Sequence, residues 1–411
     1  MSQRTSHLRS RIAKRYAVEK SQTFESGKPL PSEPNVVVLG CGMGGFTLSN
    51  LVSKRVGNSA VVTIIEPRSR LPFAPAFQWL VFGWRQPEKI ERAPTSLVKR
   101  KNVRMVSDRV EKIDVNERTV KTQSQTIRYD KLVISLGTEF AFDQVPGLEA
   151  YSHNAYSIEG ALKLREAIAN FNGGTIAIGI SRLPIKCPPA PYELALLLEE
   201  HFRRAKKEAE IHFFTPEPHP VPAAGSVIGK QVERLLNSRG IKYLSKMKVA
   251  RVDKDKVLFD NGSELKYDVL ITTPPHRSSQ VVRDAGLTDD SGWIPVNPHN
   301  LATRHEDVFA IGDVVSIETP HGHAPYLPKA GVFAQGQAEV VANNLAVSIT
   351  KKGEMKQWGG EGSCYLQVAK SESAFLKGAF LSNPPRLEFH PPRRKWFLER
   401  LRLEKEWLKL K

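Results

Sequence analysis

Cysteine is scarce in this chain of 411 residues, which has only Cys41, Cys187 and Cys364. Three thiols do not make a disulfide scaffold for a protein of this size, and their spacing matches neither a CxxC motif nor a zinc site, so no metal is expected. Long apolar runs are also missing, and no stretch could cross a bilayer. The first 34 residues lack the hydrophobic core of a secretory signal, and Glu19, Glu25 and Glu33 speak against a transit peptide, so a basic flexible arm is expected there. Hydrophobic content of 40% and charged content of 25% are ordinary for a globular protein, and the length allows two or three domains.

Acidic residues are outnumbered. The formal net charge is +17, and residues 1–34 and 386–411 contribute +4 and +5 of it. The C-terminal segment also carries Trp396, Phe397, Leu401, Leu403, Trp407 and Leu408. Such a basic, aromatic tail suits peripheral docking on an anionic membrane surface, with the tryptophans at headgroup depth. Arg400 and Glu404 interrupt its apolar side, and the alternative is a helix docked on its own domain. Nucleic acid is not an expected partner, because no binding motif accompanies the charge.

Glycine is abundant at one nucleotide-type turn and missing from another. The apolar run 35–40 leads into Gly40-Cys-Gly42-Met-Gly44-Gly45, a helix to Arg55 and a second strand ending at Glu66. Gly40 suits the tight turn, Gly42 the close approach of a pyrophosphate, and Gly45 helix–strand packing. Glu66 lies 21 residues beyond Gly45, where an acid receives ribose hydroxyls. A buried strand ending at Gly137 and the strand-end pair Gly312-Asp313 complete an FAD-type constellation. Asp313 is expected to reach a ribityl hydroxyl.

The second unit begins with Thr175-Ile-Ala-Ile-Gly179 and then runs Ile-Ser-Arg-Leu-Pro-Ile-Lys-Cys187-Pro-Pro-Ala-Pro-Tyr-Glu193. Side chains stand where glycines would admit a second pyrophosphate, so a nicotinamide reductant is not expected. Prolines 188, 189 and 191 stiffen the turn around Cys187. The following helix N-terminus and Lys186 favour its thiolate. Cys364 lies 177 positions away in Gly359-Gly-Glu-Gly-Ser-Cys-Tyr, and spacing alone does not show whether the sulfurs meet. Cys41 reads as a small residue inside the phosphate turn. The expected fold is α/β, with two nested Rossmann-like domains and a C-terminal membrane-associating tail. Its parts are a basic arm (1–34), an FAD-binding domain in two pieces (35–150 and 301–357), a second domain bearing the cysteine loop (151–300) and a tail region (358–411).

At these residues the chain resembles the sulfide:quinone oxidoreductases. The resemblance rests on Cys187-Pro-Pro-Ala-Pro-Tyr-Glu193, Thr215-Pro-Glu-Pro, Leu327-Pro-Lys-Ala-Gly-Val-Phe-Ala334 and Gly362-Ser-Cys364-Tyr365. It implies that Cys187 and Cys364 are a redox pair beside the flavin, that Glu193 is an acid near the sulfide site, and that Lys329 is a cation beside the flavin pyrimidine. Tyr365 would lie near a membrane quinone. Many relatives have a third cysteine before Cys187, but positions 42–186 here contain none, which argues against flavin attachment through such a residue. A homo-oligomer is compatible with the same features. The rivals are a cytochrome-coupled sulfide dehydrogenase, a type II NADH dehydrogenase and a flavin-stabilised binding protein.

Overall fold

A computed structural model describes residues 33–98, 102–320 and 324–409. All but the last two residues of the arm expected at 1–34 lie outside the described residues. The principal elements begin with β1 (Asn35–Leu39), α1 (Met43–Val56), β2 (Val61–Ile65), β3 (Val103–Val106) and β4 (Lys131–Ile134). The middle of the chain supplies β5 (Gly174–Ile180), α2 (Ala190–Ala205), β6 (Ala209–Phe214), α3 (Ser226–Ser238), β7 (Lys242–Leu244) and β8 (Val269–Thr273). Then come β9 (Val308–Ala310), α4 (Gly331–Thr350), β10 (Glu361–Ala369), β11 (Glu372–Ala379), β12 (Arg386–Arg393) and α5 (Arg394–Lys409).

Two parallel sheets carry the α/β fold. The first runs β9-β4-β1-β2-β3, so residues 308–310 return to the sheet that residue 35 began. The second runs β7-β6-β5-β8. Val36, Val37, Val38 and Leu39 are all fully buried, as expected of a parallel strand covered on both faces. Helices α1 and α4 pack on each other. A Cβ on Gly45 would lie 1.9 Å from the Gly40 carbonyl oxygen, so only glycine lets α1 start this close to the turn.

The C-terminal region is a three-stranded antiparallel sheet, β10-β11-β12, with α5 against β11 and β10 and with α2 against β10. The tail differs here from its sequence reading. Arg400, Glu404 and Trp407 are buried, and the Trp407 ring packs 5.4 Å from Phe73. Trp396 packs 4.7 Å from Phe375. Both tryptophan rings therefore pack against aromatic side chains of the protein. The two charged residues that seemed to break the apolar face are the ones that dock it. No helix among the described residues is long and apolar enough to cross a membrane.

Replacing Gly45 with Ala should destabilise the fold by at least about 2 kcal/mol, because the new carbon meets backbone rather than a movable side chain. Thermal unfolding checks this; an unchanged midpoint would mean that the turn relaxes freely.

Candidate functional site

The first glycine turn forms one wall of the site. Gly40 has φ +90, and a Cβ on Gly42 would meet nothing within 4 Å, leaving open space at the N-terminus of α1. The first turn of that helix holds no acidic residue, so its free amides suit an anion. Glu66 is buried and accepts from the Cys41 amide at 2.9 Å. It also accepts from the Arg68 amide and binds the Arg68 guanidinium at 2.7 and 2.8 Å. These bonds fill the four lone-pair positions of the carboxylate. Burial acts against the charge, but Arg68 holds the Glu66 pKa below the usual carboxylate range. A ribose would therefore reach Glu66 only as Arg68, half-exposed, swings aside.

The opposite wall is built from Gly312, Asp313 and Lys329. Gly312 has φ +79, and its amide donates to Gln337 Oε1 at 2.7 Å. Asp313 Oδ1 is buried without a protein partner, and burial raises its pKa despite Lys186 and Lys329 nearby. An orphaned acceptor of this kind fits a ribityl hydroxyl. Lys329 Nζ donates to the Asp313 and Val315 carbonyls at 2.8 and 3.1 Å and stands 3.4 Å above the Trp293 ring. Burial lowers its pKa to about 7. Gly137, with φ +67, follows β4 at the end of the same sheet. The pyrophosphate space, the orphaned carboxylate and the lysine together fit FAD.

The cysteines come from both halves of the site. The Cys187 amide donates to the Lys329 carbonyl at 2.7 Å, tying the proline-rich turn to the cofactor wall. Cys187 has φ +53, a left-handed conformation that a non-glycine residue holds only when its surroundings impose it. β10 brings Cys364 up to it, close enough for each thiol to shift the other's pKa. All three cysteines are free. The neighbouring Cys364 thiol lowers the Cys187 pKa from the ordinary thiol range, although burial opposes this. The neighbouring Cys187 and burial push Cys364 up. The main cause of the Cys187 shift is thus Cys364, not the helix end or Lys186 invoked from sequence. Cys41 is fully buried and pushed up to about 12 by burial.

Glu193 stands in the first turn of α2, six residues after Cys187, and is 3% exposed. Its Oε1 accepts from Arg400 of α5 at 2.7 Å and its Oε2 from the Gln367 amide of β10 at 2.9 Å. Arg400 also reaches Gln367 Oε1 at 3.2 Å, which in turn accepts from Trp79 Nε1 at 2.7 Å. Burial raises the Glu193 pKa even against the arginine. The acid read from sequence is therefore a paired anchor, not a free carboxyl.

A cavity of about 500 Å³ opens beside Cys364. Its walls are mainly proline, alanine, valine, leucine and phenylalanine, including Pro188, Ile228, Val332 and Phe389. Tyr365 lines it, packs with its ring tilted 4.8 Å from Phe375 and is pushed up to about 12 by burial. His219 contacts the Pro220 carbonyl at 3.1 Å and is not part of this lining. Sequence reading missed Arg400 as a site residue, and it missed His276 and Glu217 entirely. His276 is buried between Phe140 and Tyr156 and pushed down to about 3 by burial, which leaves it neutral. The only signal for Glu217 was its place in the Thr215-Pro-Glu-Pro turn.

Comparison with known proteins agrees with this geometry. Residues 34–338 match the family model described as pyridine nucleotide-disulphide oxidoreductase. The chain is 30% identical over 346 residues to a sulfide-quinone reductase of Aquifex aeolicus, covering 77% of this chain and 76% of that protein. It is 26% identical over 371 residues to the mitochondrial sulfide:quinone oxidoreductase of Mus musculus, covering 85% and 79%. The solved structure of the Aquifex aeolicus sulfide:quinone oxidoreductase superposes with a TM-score of 0.81 at 25% identity, covering 91% of this chain and 90% of that one. A type II NADH:quinone oxidoreductase of Staphylococcus haemolyticus is 25% identical over 332 residues, covering 75% and 81%.

Arg400→Met should destabilise the protein by about 3 kcal/mol, since it strands Glu193 in a dry site. Below the ordinary carboxylate range Glu193 is protonated folded and unfolded, so the penalty shrinks there. Above it the unfolded chain ionises more readily than the folded one, and the penalty grows with pH. Denaturant unfolding at several pH values checks this; a penalty independent of pH would show that packing alone is lost.

Proposed function

This chain belongs to the sulfide:quinone oxidoreductases, within the pyridine nucleotide-disulphide oxidoreductase family, and we propose that it oxidises sulfide on Cys187 and Cys364 and delivers the electrons to a membrane quinone. The observation that carries this reading is the meeting of Cys187 and Cys364, each of which shifts the other's pKa, at a turn tied through the Lys329 carbonyl to the FAD wall. Bound FAD supplies a two-electron relay between thiol and quinone chemistry. In the proposed cycle hydrosulfide attacks a Cys187–Cys364 disulfide, forming a persulfide on one cysteine and freeing the other as thiolate. Thiolate and persulfide then close a trisulfide bridge, releasing two electrons and one proton. Further sulfide opens that bridge and carries sulfur away as polysulfide. Lys329, a buried cation, would favour negative charge on the reduced cofactor.

The second nucleotide-type turn supports sulfide rather than NADH as reductant. A Cβ on Gly179 would lie 2.1 Å from the Phe214 carbonyl oxygen, so that glycine serves strand packing and opens no phosphate space. The apolar cavity beside Cys364 and Tyr365 suits a quinone ring. For the membrane, the outer face of α5 remains available. Leu398 and Leu403 are 51% and 46% exposed, among exposed Arg394, Lys395, Arg402 and Lys405. The domain division expected from sequence is retained within this reading.

Anaerobic sulfide should bleach the flavin absorbance of the wild-type protein, while NADH leaves it unchanged. Cys187→Ser should slow sulfide bleaching by at least about a thousandfold. Bleaching by NADH, or undiminished bleaching of the variant, would refute the assignment. Leu398→Asp with Leu403→Asp should shift the protein from vesicle pellet to supernatant at unchanged thermal stability; continued pelleting would remove α5 from the docking surface.

A further inference from the structure

The cavity walls hold one carboxyl group that the cycle above does not use. Glu217 stands just beyond β6, is 3% exposed and lines the same cavity as Cys364 and Tyr365. Its carboxylate accepts from the Tyr192 hydroxyl and, at 3.1 Å, from the Thr215 hydroxyl. Tyr192 is fully buried on α2, one residue before Glu193, and also lines the cavity. Among the described residues no lysine or arginine pairs with Glu217; the titratable groups facing it are Tyr192 of α2, Tyr243 of β7 and Tyr156. The Lys246 amide meets only its main-chain carbonyl. The contrast with Glu193 is chemical. Glu193 is paired with the Arg400 guanidinium, whereas Glu217 has only the Tyr192 and Thr215 hydroxyls as donors.

We propose that Glu217, with the Tyr192 hydroxyl beside it, is the proton donor to the reducible ligand held in this cavity. The inference rests on the reading of that ligand as a quinone. Two-electron reduction of a quinone to a quinol forms two O–H bonds and consumes two protons. A lining built largely of proline, alanine and phenylalanine offers little water to supply them. A carboxyl group in that wall gives one proton to one quinone oxygen, the electron pair and the second proton come from the reduced cofactor, and the carboxylate left behind is held by the Tyr192 and Thr215 hydroxyls until solvent reprotonates it. Burial raises the Glu217 pKa to about 7, partly offset by those hydroxyls, so proton loss and recovery both lie within reach near neutrality. The short chain step from Cys187 to Tyr192 places the hydroxyl that holds this carboxyl close behind the cysteine turn.

Glu217→Gln, which keeps size and hydrogen-bonding reach, separates this role from folding. Stopped-flow measurement splits the reaction into flavin bleaching by sulfide and recolouring by a soluble quinone. The variant should recolour at least about tenfold more slowly than wild type, with a far smaller effect on bleaching. Glu217→Asp should recover part of the rate with a shifted pH profile. Infrared titration of the apoprotein should show a protonated carboxyl signal that disappears across the neutral range and is missing in Glu217→Gln. If sulfide fails to bleach the wild type, the proposed function itself falls. If the wild type bleaches but the variant recolours as fast, or slows chiefly in the sulfide step, the proton-donor role is overturned.

Discussion

The site depends on a buried ion pair between Glu193 and Arg400, whose side chains are 4% and 7% exposed. Two charges removed from water stay ionised only if each closes on the other with good geometry. Here the pair does more than neutralise itself, because the Gln367 amide and side chain join it. α2, β10 and α5 are thereby held in one arrangement, although Glu193 and Arg400 are 207 positions apart. α2 follows the Cys187 turn, and β10 carries Cys364. Holding those elements together brings two distant thiols close enough to shift each other's pKa.

Around this anchor, burial sets the protonation of the groups that matter. Lys329 is brought down to about 7 and Glu217 up to about 7, while Cys187 is drawn toward thiolate by its neighbour. A flavoprotein that moves electron pairs from sulfur to an apolar acceptor must also move protons through a dry interior. Groups poised near neutrality allow that without large charge separation. The same dryness explains why Glu193, held by a cation, serves as structure.

The parallel sheets and the glycine turn were legible in sequence, because period, glycine spacing and the acid after the second strand agree with one another. The sheet interior needs fully apolar runs such as Val36–Leu39, and the turn needs Gly40 and Gly45 for reasons a residue type expresses directly. The docking of α5 was not legible. Arg400 and Glu404 look like interruptions of an apolar face until Glu193 and Arg85 are placed opposite them, the latter at 2.7 Å from Glu404. Partners so far apart in sequence leave no local pattern. The same holds for the cause of the Cys187 shift, which lies in a strand 177 positions away, and for Glu217, whose character comes from the hydroxyls and the cavity around it.

The most direct test of the account is non-reducing mass spectrometry of proteolytic peptides from protein exposed to limited sulfide. The account predicts peptides containing Cys187 and Cys364 joined to each other, with a fraction of the bridges carrying extra sulfur, and Cys41 unmodified. Recovery of Cys187 and Cys364 as separate, unlinked peptides under those conditions would contradict it.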